Sequence, residues 1–261
     1  RFSEEKVSAS RNFANKIWNA ARFILMNIKG KDIDCALPKK LYTSDKWILN
    51  RFNNVTAAVT ENLEKFELGM AVSKLYDFLW DEFCDWYIEL AKIRMNGADE
   101  ESADSARRVL VWTMSNTLKL LHPFMPYITE EIWQTLPHDG EALIVAKWPE
   151  YDEALSFPQE AKNLENVMAL IRAIRTRRNE MNVPPSKKAH IYIDTAHPAP
   201  YEEASEFIAR LAYGSKVEIG MGFDVQGAVT AVTDDAKALL PMDDLVDKAA
   251  ETARLNKELA N

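Results

Sequence analysis

Cations, amides and aromatic rings share one face of a predicted helix near the start of the chain. At about 100° per residue, Ser10 to Ile28 divides into an apolar side and a polar side. The polar side carries Arg11, Asn12, Asn15, Lys16, Trp18, Asn19, Arg22 and Phe23. Cations bind phosphates, amides pair with base edges, and aromatic planes stack on bases. Two interpretations stay open: a face that reads single-stranded RNA, and a solvated basic face whose rings pack on neighbouring helices.

The same segment is unusual in its charge. The chain has 261 residues, of which 40 are acidic and 32 are Lys or Arg, and its formal net charge is −8. The window from Lys6 to Lys31 nevertheless contains no Asp or Glu. A local cationic surface on an acidic body suggests a polyanionic partner. The net charge argues against indiscriminate nucleic-acid binding.

A second basic cluster follows in the later part of the chain. Its members are Arg172, Arg175, Arg177, Arg178, Lys187 and Lys188. The arginines occupy the end of a predicted helix, where cations favour the helix dipole. A structural role and a contact to a nucleic-acid backbone are both compatible with this position.

The remaining residues offer little catalytic or metal chemistry. Asp81, Asp85 and Glu89 recur every four residues opposite an apolar helix face, which is typical of a solvated surface. The histidines lack metal-ligand spacing, and no Ser or Cys lies in a nucleophile motif. Cys35 and Cys84 are far apart and form no CxxC pair. We therefore predict no catalytic residue and no metal site.

Helical periodicity and punctuation predict a mainly α chain whose first domain is an antiparallel helical bundle over residues 1–150. Its helices are predicted at 1–28, 45–63 with Ser44 as the cap, 68–95, 99–121, and from Pro123 or Pro126 to about 136. The apolar spacing in the third helix predicts Val72 and Leu75 as inward-facing.

The predicted second domain, residues 151–240, is a small α+β unit. It comprises helices at 159–181 and 201–212 and strands at 190–194, 216–219 and 228–233. Residues 241–261 predict the start of a coiled-coil helix, because Leu245, Thr252 and Leu259 recur every seven residues. No apolar run reaches the roughly 20 residues needed to span a bilayer, so we expect a cytoplasmic protein. The absence of an initial Met and of a helix end at Asn261 suggests truncation at both ends.

Four ordered motifs carry a resemblance to a known family. They are RNFANKIWNAARF, DKWILNRFN, FLWDEFCDWYIELAK and HPFMPYITEEIWQ. Together they resemble the post-catalytic half of class I aminoacyl-tRNA synthetases. The EFCDWY block and the NVPPSKK turn are most similar to the valine-specific branch of the editing subgroup. The same domain of an isoleucine or leucine relative is the alternative within this family.

The resemblance implies a helical bundle that binds the anticodon stem-loop, followed by a small extension and a coiled-coil arm. It implies an intact enzyme that ligates valine to its tRNA with ATP and Mg²⁺. The ATP-binding signatures of the family are missing from these residues, so we expect this fragment to be inactive and to hold no cofactor. The expected partner is valine-accepting tRNA, and a monomer is expected.

The resemblance also gives the first basic face a role to test. Valine tRNAs share A and C as their second and third anticodon bases. We expect Asn15, Asn19 and Arg22 to face base edges, Trp18 or Phe23 to stack, and Arg11 and Lys16 to hold phosphates. The second basic cluster would flank the anticodon stem. The rival hypotheses are a protein-binding scaffold using the surfaces around Trp80, Trp86 and Trp112, and a hydrolase, which the missing nucleophile and metal spacing disfavour.

Overall fold

The computed structural model describes residues 3–245, and these divide into two compact units between Ala161 and Lys162. The helices of the first unit are α1 (Glu4–Ile28), α2 (Thr43–Glu64), α3 (Leu68–Asp77), a π-helical segment (Phe78–Tyr87), α4 (Ile88–Met95), α5 (Glu100–Leu121) and α6 (Pro126–Trp133). Short 3₁₀ turns follow at Leu143–Val145 and Glu153–Leu155. Helix α7 (Pro158–Glu180) begins in the first unit and continues into the second.

The predicted apolar side of α1 lies in the core of the first unit. Phe13, Ile17, Ala20, Ala21 and Ile24 are buried. The helix contacts α5, α6 and the π-helical segment. Glu4 and Glu5 in the first turn favour the dipole of the helix. Packing of this side fixes which residues of α1 face outward.

A buried ion pair connects three helices of the bundle. Asp45 on α2 is fully buried, and its Oδ2 accepts from Arg94 Nη2 on α4 at 3.0 Å. The same carboxylate accepts from the Tyr87 hydroxyl at 2.7 Å and from Ser105 on α5 at 2.8 Å. The Arg94 guanidinium also donates to Ser44 Oγ at 2.9 Å. Each of these buried polar groups has a hydrogen-bond partner, so the network fixes the relative positions of α2, α4 and α5.

That network corrects the predicted role of Ser44. Helix α2 begins at Thr43, one residue before Ser44, and Tyr42 is its N-cap. The Asp45 carboxylate accepts from the Tyr42 backbone N–H at 3.1 Å and so satisfies one backbone donor at the start of the helix. Ser44 is buried and serves Arg94 instead.

The predicted third helix is continuous in outline but not α-helical throughout. Its middle, Phe78–Tyr87, is a π-helix between α3 and α4. The wider winding of a π-helix changes the phase of the apolar face relative to a uniform α-helix. Leu75 is buried as expected, whereas Val72 is 37% exposed. The sequence pattern predicted the length of this helix but not its internal geometry.

The bounds of α5 and the corner after it agree with the sequence. Asp99 is the N-cap of α5, and its side chain accepts from the Ser102 backbone N–H at 3.1 Å. The helix ends at Leu121, before His122 and Pro123. His122 Nδ1 lies 2.8 Å from Thr129 Oγ1, across the start of α6. Pro126 occupies the first turn of α6, where its missing N–H costs nothing.

The second unit contains a mixed four-stranded sheet. Its strands are β1 (Ala189–Asp194), β2 (Gly214–Gly220), β3 (Ala228–Val232) and β4 (Lys237–Pro241), in the order β2-β1-β4-β3. Strand β1 is parallel to β2 and antiparallel to β4. Helices α8 (Pro198–Glu203) and α9 (Ser205–Leu211) connect β1 to β2. A Cβ on Gly214 would lie 3.2 Å from Ala209 Cα, so glycine permits the close approach of α9 to β2.

Two predictions for this unit were wrong in detail. Strand β4 was missed because its KALLP sequence lacks apolar-polar alternation and ends in proline. The helix predicted at 201–212 is two short helices that meet at Ala204.

The turn after α7 occurs as expected, with Asn182 at a φ of 54°. Helix α10 (Met242–Leu245) starts where the coiled coil was predicted, and Thr252 and Leu259 lie outside the described residues.

Within residues 3–245, no helix is both long and apolar enough to cross a bilayer.

Candidate nucleic-acid interface

The outer face of α1 presents polar groups that are free to bind a ligand. Asn12, Asn15, Asn19 and Arg22 are exposed, and so is Arg11. Within residues 3–245, none of these five side chains has a hydrogen-bond or ion-pair partner. We call this set, together with Trp18, the α1 face.

Trp18 is the aromatic member of the α1 face. Its side chain is 41% exposed although it is a large apolar residue. Asn15 and Arg22 are three and four residues away along the helix, so they neighbour the indole on the same surface, and Asn19 in turn neighbours Asn15 and Arg22. An exposed ring bordered by amides and a guanidinium can stack on a base while its neighbours reach the base edges. This juxtaposition follows from the α-helical repeat alone.

Lys16 is placed differently from the other predicted cations. Its Nζ lies 2.7 Å from Asp85 Oδ1 and 3.8 Å from the centroid of the Trp80 ring. Trp80 in turn stacks on Tyr76, which stacks on Phe13 of α1. The ammonium therefore helps to attach α1 to the π-helical segment. Lys16 is not a free phosphate ligand in this structure, and we leave it out of the α1 face.

Phe23 is also engaged within the protein. Its ring is half-buried, and Lys92 Nζ lies 5.2 Å from the ring centroid. Lys92 itself pairs with Glu89 at 2.6 Å. Trp18 is therefore the better candidate for stacking on a base.

The second basic cluster separates into internal and external members. Arg178 is 2% exposed, and its Nη2 donates to the carbonyls of Pro184, at 3.1 Å, and Lys187. Arg175 Nε donates to the Leu211 carbonyl at 2.6 Å, and the guanidinium lies 5.8 Å from the Tyr213 ring. Burial lowers the pKa of Arg178. These two arginines join the end of α7 to the turn after it and to the end of α9.

Arg172, Arg177 and Lys188 are exposed, and Lys187 is half-buried. Arg177 pairs with Glu180 at 2.9 Å, an exposed contact that a phosphate can displace at little cost. These four residues are the part of the second cluster that is accessible to a polyanion.

The tryptophan surfaces required by the protein-scaffold hypothesis are largely internal. Trp86 is 7% exposed, and Trp80 lies beneath Lys16. Trp112 is half-buried, with its ring edge-on to Phe52 at 5.2 Å between centroids. These rings stabilise the bundle and do not form a continuous exposed patch.

The predicted acidic row has structural partners. Asp85 pairs with Lys16, Glu89 pairs with Lys92, and Asp81 is exposed. Among residues 3–245 there is no group of three or more His, Cys, Asp or Glu side chains that could hold a metal ion. Cys84 is half-buried, and burial raises the pKa of its thiol to about 12, which disfavours the nucleophilic thiolate.

The helical bundle agrees with a defined class of protein. A family described as the anticodon-binding domain of tRNA ligase matches residues 45–193. That match covers more than half of the chain, so the chain belongs to this family. The match begins at Asp45, the centre of the buried network, and it ends within β1 in the second unit.

Full-length relatives point to one member of this class. The chain is 45% identical over 263 residues to the valine–tRNA ligase of Clostridium acetobutylicum and 44% identical over 266 residues to that of Listeria monocytogenes. It is 43% identical over 265 residues to the valine–tRNA ligase of Staphylococcus carnosus. The matches cover 98–99% of this chain but 30% of each relative. The chain is thus homologous to the anticodon-binding region of valine–tRNA ligases and spans about a third of their length.

A solved structure gives a weaker match. The LeuRS of Agrobacterium radiobacter K84, in a ternary complex with tRNA and LeuAMS, aligns with a TM-score of 0.45 and 17% identity, covering 60% of this chain and 18% of that chain.

Proposed function

We propose that this chain recognises the anticodon of valine-accepting tRNA through the α1 face. The observation that carries the proposal is the set of amide and guanidinium groups beside an exposed indole, which have no partner among residues 3–245 and lie on the helix that precedes the anticodon-binding family match at residues 45–193. Asn15, Asn19 and Arg22 read base edges, Trp18 stacks on a base, and Arg11 binds phosphate. Arg172, Arg177, Lys187 and Lys188 contact the backbone of the stem.

The proposal extends to the enzyme of which this region is a part. In that enzyme, valine is ligated to tRNA with ATP and Mg²⁺ bound outside these residues, and the region described here supplies tRNA selection without catalysis. A monomer in the cytoplasm is part of the same proposal. Sedimentation of the isolated chain tests the oligomeric state.

The test compares two transcripts and two sets of substitutions. Affinity is measured for valine tRNA and for the same tRNA with its anticodon replaced. The variant Asn15→Ala, Asn19→Ala, Arg22→Ala should bind valine tRNA more weakly, since each base-directed contact contributes about 1 to 3 kcal/mol. The same variant should bind the anticodon-replaced tRNA as the parent chain does. Equal parent affinities for the two transcripts would contradict anticodon recognition.

A charge-matched control separates base reading from electrostatic attraction. The variant Lys162→Ala removes one exposed cation of the second unit, as the α1 variant removes one from α1, and Lys162 has no partner among residues 3–245. It should retain discrimination between the transcripts. If it lost discrimination as completely as the α1 variant, the effect would arise from charge and not from the α1 face.

A further inference from the structure

A cavity of about 210 Å³ opens in the first unit, between α2, α5 and the segment that precedes α7. Aromatic rings from each of these elements line it: Phe52, Trp112 and Trp148. We call it the aromatic cavity. None of its lining residues belongs to the α1 face, so the proposed anticodon contact does not account for it.

The rings of the aromatic cavity are held in place by neighbours. Trp112 meets Phe52 edge-on, with 5.2 Å between centroids and 80° between the planes. The Trp148 indole N–H donates to Thr60 Oγ1 at 2.9 Å. The walls are therefore fixed before a ligand arrives, which lowers the entropic cost of binding.

The polar groups of the aromatic cavity have unused hydrogen-bonding capacity. Asn116 Nδ2 donates to the Trp112 carbonyl at 2.9 Å, and Lys119 Nζ donates to Asn116 Oδ1 at 3.0 Å. Lys119 is half-buried, and within residues 3–245 no carboxylate forms an ion pair with its ammonium. An amide has two N–H donors and an ammonium has three. Donors for a ligand thus remain on both side chains.

A second cavity places Lys119 between two openings. It has a volume of about 150 Å³ and shares Trp112, Asn116 and Lys119 with the aromatic cavity. Burial lowers the pKa of Lys119, as expected for an ammonium with few polar partners. The ammonium would gain most from a further hydrogen-bond acceptor on the cavity side.

The charges around the aromatic cavity favour a neutral ligand over a phosphate. Lys147 and Lys119 line it together with Glu150 and Asp152, and Lys147 Nζ lies 3.3 Å from Glu150 Oε1. The two carboxylates balance the two ammonium groups, so the lining offers no net positive charge to a phosphate, whereas a neutral heterocycle can use both the donors and the acceptors. Pockets for drug-sized ligands have volumes of about 300–1,000 Å³. The aromatic cavity is smaller than these pockets. One flat ring system suits these dimensions.

We propose that the aromatic cavity is a nucleobase-binding site. The base stacks against Trp112 or Trp148, while Asn116 and Lys119 donate to its ring nitrogens or carbonyl oxygens. The base comes either from a free nucleotide or from an unstacked position in an RNA loop. The second source rests on the proposed tRNA-binding function, and the first does not.

The test follows the indole N–H signals of the chain by NMR during titration with AMP, CMP, GMP and UMP. The chain has seven tryptophans, and Trp112→Phe and Trp148→Phe assign the relevant signals. Nucleotides should shift the Trp112 and Trp148 signals, and ribose 5-phosphate should not. Asn116→Ala and Lys119→Met should each weaken nucleotide binding at least five-fold. Lys65→Met removes an exposed cation that pairs with Glu61 outside both cavities, so it is the matched control and should leave nucleotide binding unchanged.

Two RNA ligands distinguish the sources of the base. The first ligand is an anticodon stem-loop, and the second is the same stem with an abasic loop. If the first shifts the Trp112 signal and the second does not, the bound base comes from RNA. Nucleotide shifts without an RNA effect identify a free-nucleotide site. Absence of shifts with all four nucleotides, or equal shifts with ribose 5-phosphate, would overturn the proposal. Failure of the proposed function would appear as tRNA affinity independent of the anticodon and would leave the nucleotide titration unaffected.

Discussion

Arg94 brings a full positive charge into the interior of the bundle. Its side chain is 6% exposed, and Asp45, its carboxylate partner, is fully buried. Two charges taken out of water are tolerated only when both are paired and hydrogen-bonded. Tyr42, Ser44, Tyr87, Ser102 and Ser105 supply those further hydrogen bonds. The pair thus specifies which helices meet, whatever its net contribution to stability.

Removing one partner of this pair should be costly. Arg94→Met leaves the Asp45 carboxylate buried without its cation, and we expect a loss of about 3 to 5 kcal/mol in the free energy of unfolding. Urea denaturation followed by circular dichroism measures it. Lys65→Met breaks only the exposed pair with Glu61 and should leave the urea midpoint unchanged. Equal midpoints for the two variants would show that the buried pair does not stabilise the bundle.

Cys84 should be chemically inert in the folded protein. Burial raises the pKa of its thiol from 9.0 to about 12. At pH 8 the thiolate fraction is then lower by about a thousand-fold, and alkylation requires the thiolate. We expect iodoacetamide to modify Cys84 far more slowly in the folded chain than in urea, measured by mass spectrometry on a Cys35→Ser background. Comparable rates in both states would contradict the burial of this thiol.

At the scale of elements, α1 has two functions on opposite sides. Its inner side packs on α5, α6 and the π-helical segment, and Lys16 reinforces that attachment through Asp85. Its outer side carries the polar residues of the α1 face, which do not stabilise the helix. Asn is a poor helix former, so packing of the inner side must offset the cost of three asparagines on the outer side.

Helix α5 tests how much a single cap contributes to the bundle. The Asp99 carboxylate accepts from the Ser102 backbone N–H, which would otherwise have no partner within the helix. Asp99→Ala should cost about 0.5 to 2 kcal/mol of unfolding free energy. Asp99→Asn keeps an oxygen acceptor and serves as the matched control, with a smaller loss in thermal or urea unfolding. If alanine were as stable as asparagine here, the cap would make no contribution.

At the scale of the whole molecule, a net charge of −8 opposes nucleic acid except where cations are concentrated. Binding of RNA should therefore depend on a few phosphate contacts and weaken moderately with salt. Removing one phosphate contact to a single strand should reduce the slope of log K against log salt by about 0.7. We expect Arg11→Ala to show this change in filter-binding or anisotropy titrations with valine tRNA.

The second basic cluster calls for a different pair of substitutions. Arg177→Ala, Lys188→Ala should reduce the salt slope without unfolding the chain, because both side chains are exposed. Arg178→Ala should instead lower the stability of the second unit, since Arg178 holds the carbonyls of Pro184 and Lys187. An unchanged salt slope for the exposed pair would remove this cluster from the proposed tRNA interface.

Local patterns in the sequence predicted much of the architecture. The ends of α1 and α5, the corner at Pro123 to Pro126, and the inward residues of α1 follow from periodicity, a capping residue and proline. The π-helical winding of Phe78–Tyr87 and strand β4 did not follow from these signals. Both depend on packing against segments that are distant in sequence, which local periodicity does not report.

The sequence by itself determined the family and the composition of the polar helix, because motifs and helical spacing are local properties. Only the tertiary structure decided which of the predicted cations are free. Lys16 is neutralised by Asp85, 69 residues away, and Arg178 is enclosed by carbonyls beyond the end of its own helix. The aromatic cavity likewise arises where Phe52, Trp112 and Trp148 meet. Such groupings depend on how helices pack, and the spacing within one helix contains no information about its neighbours.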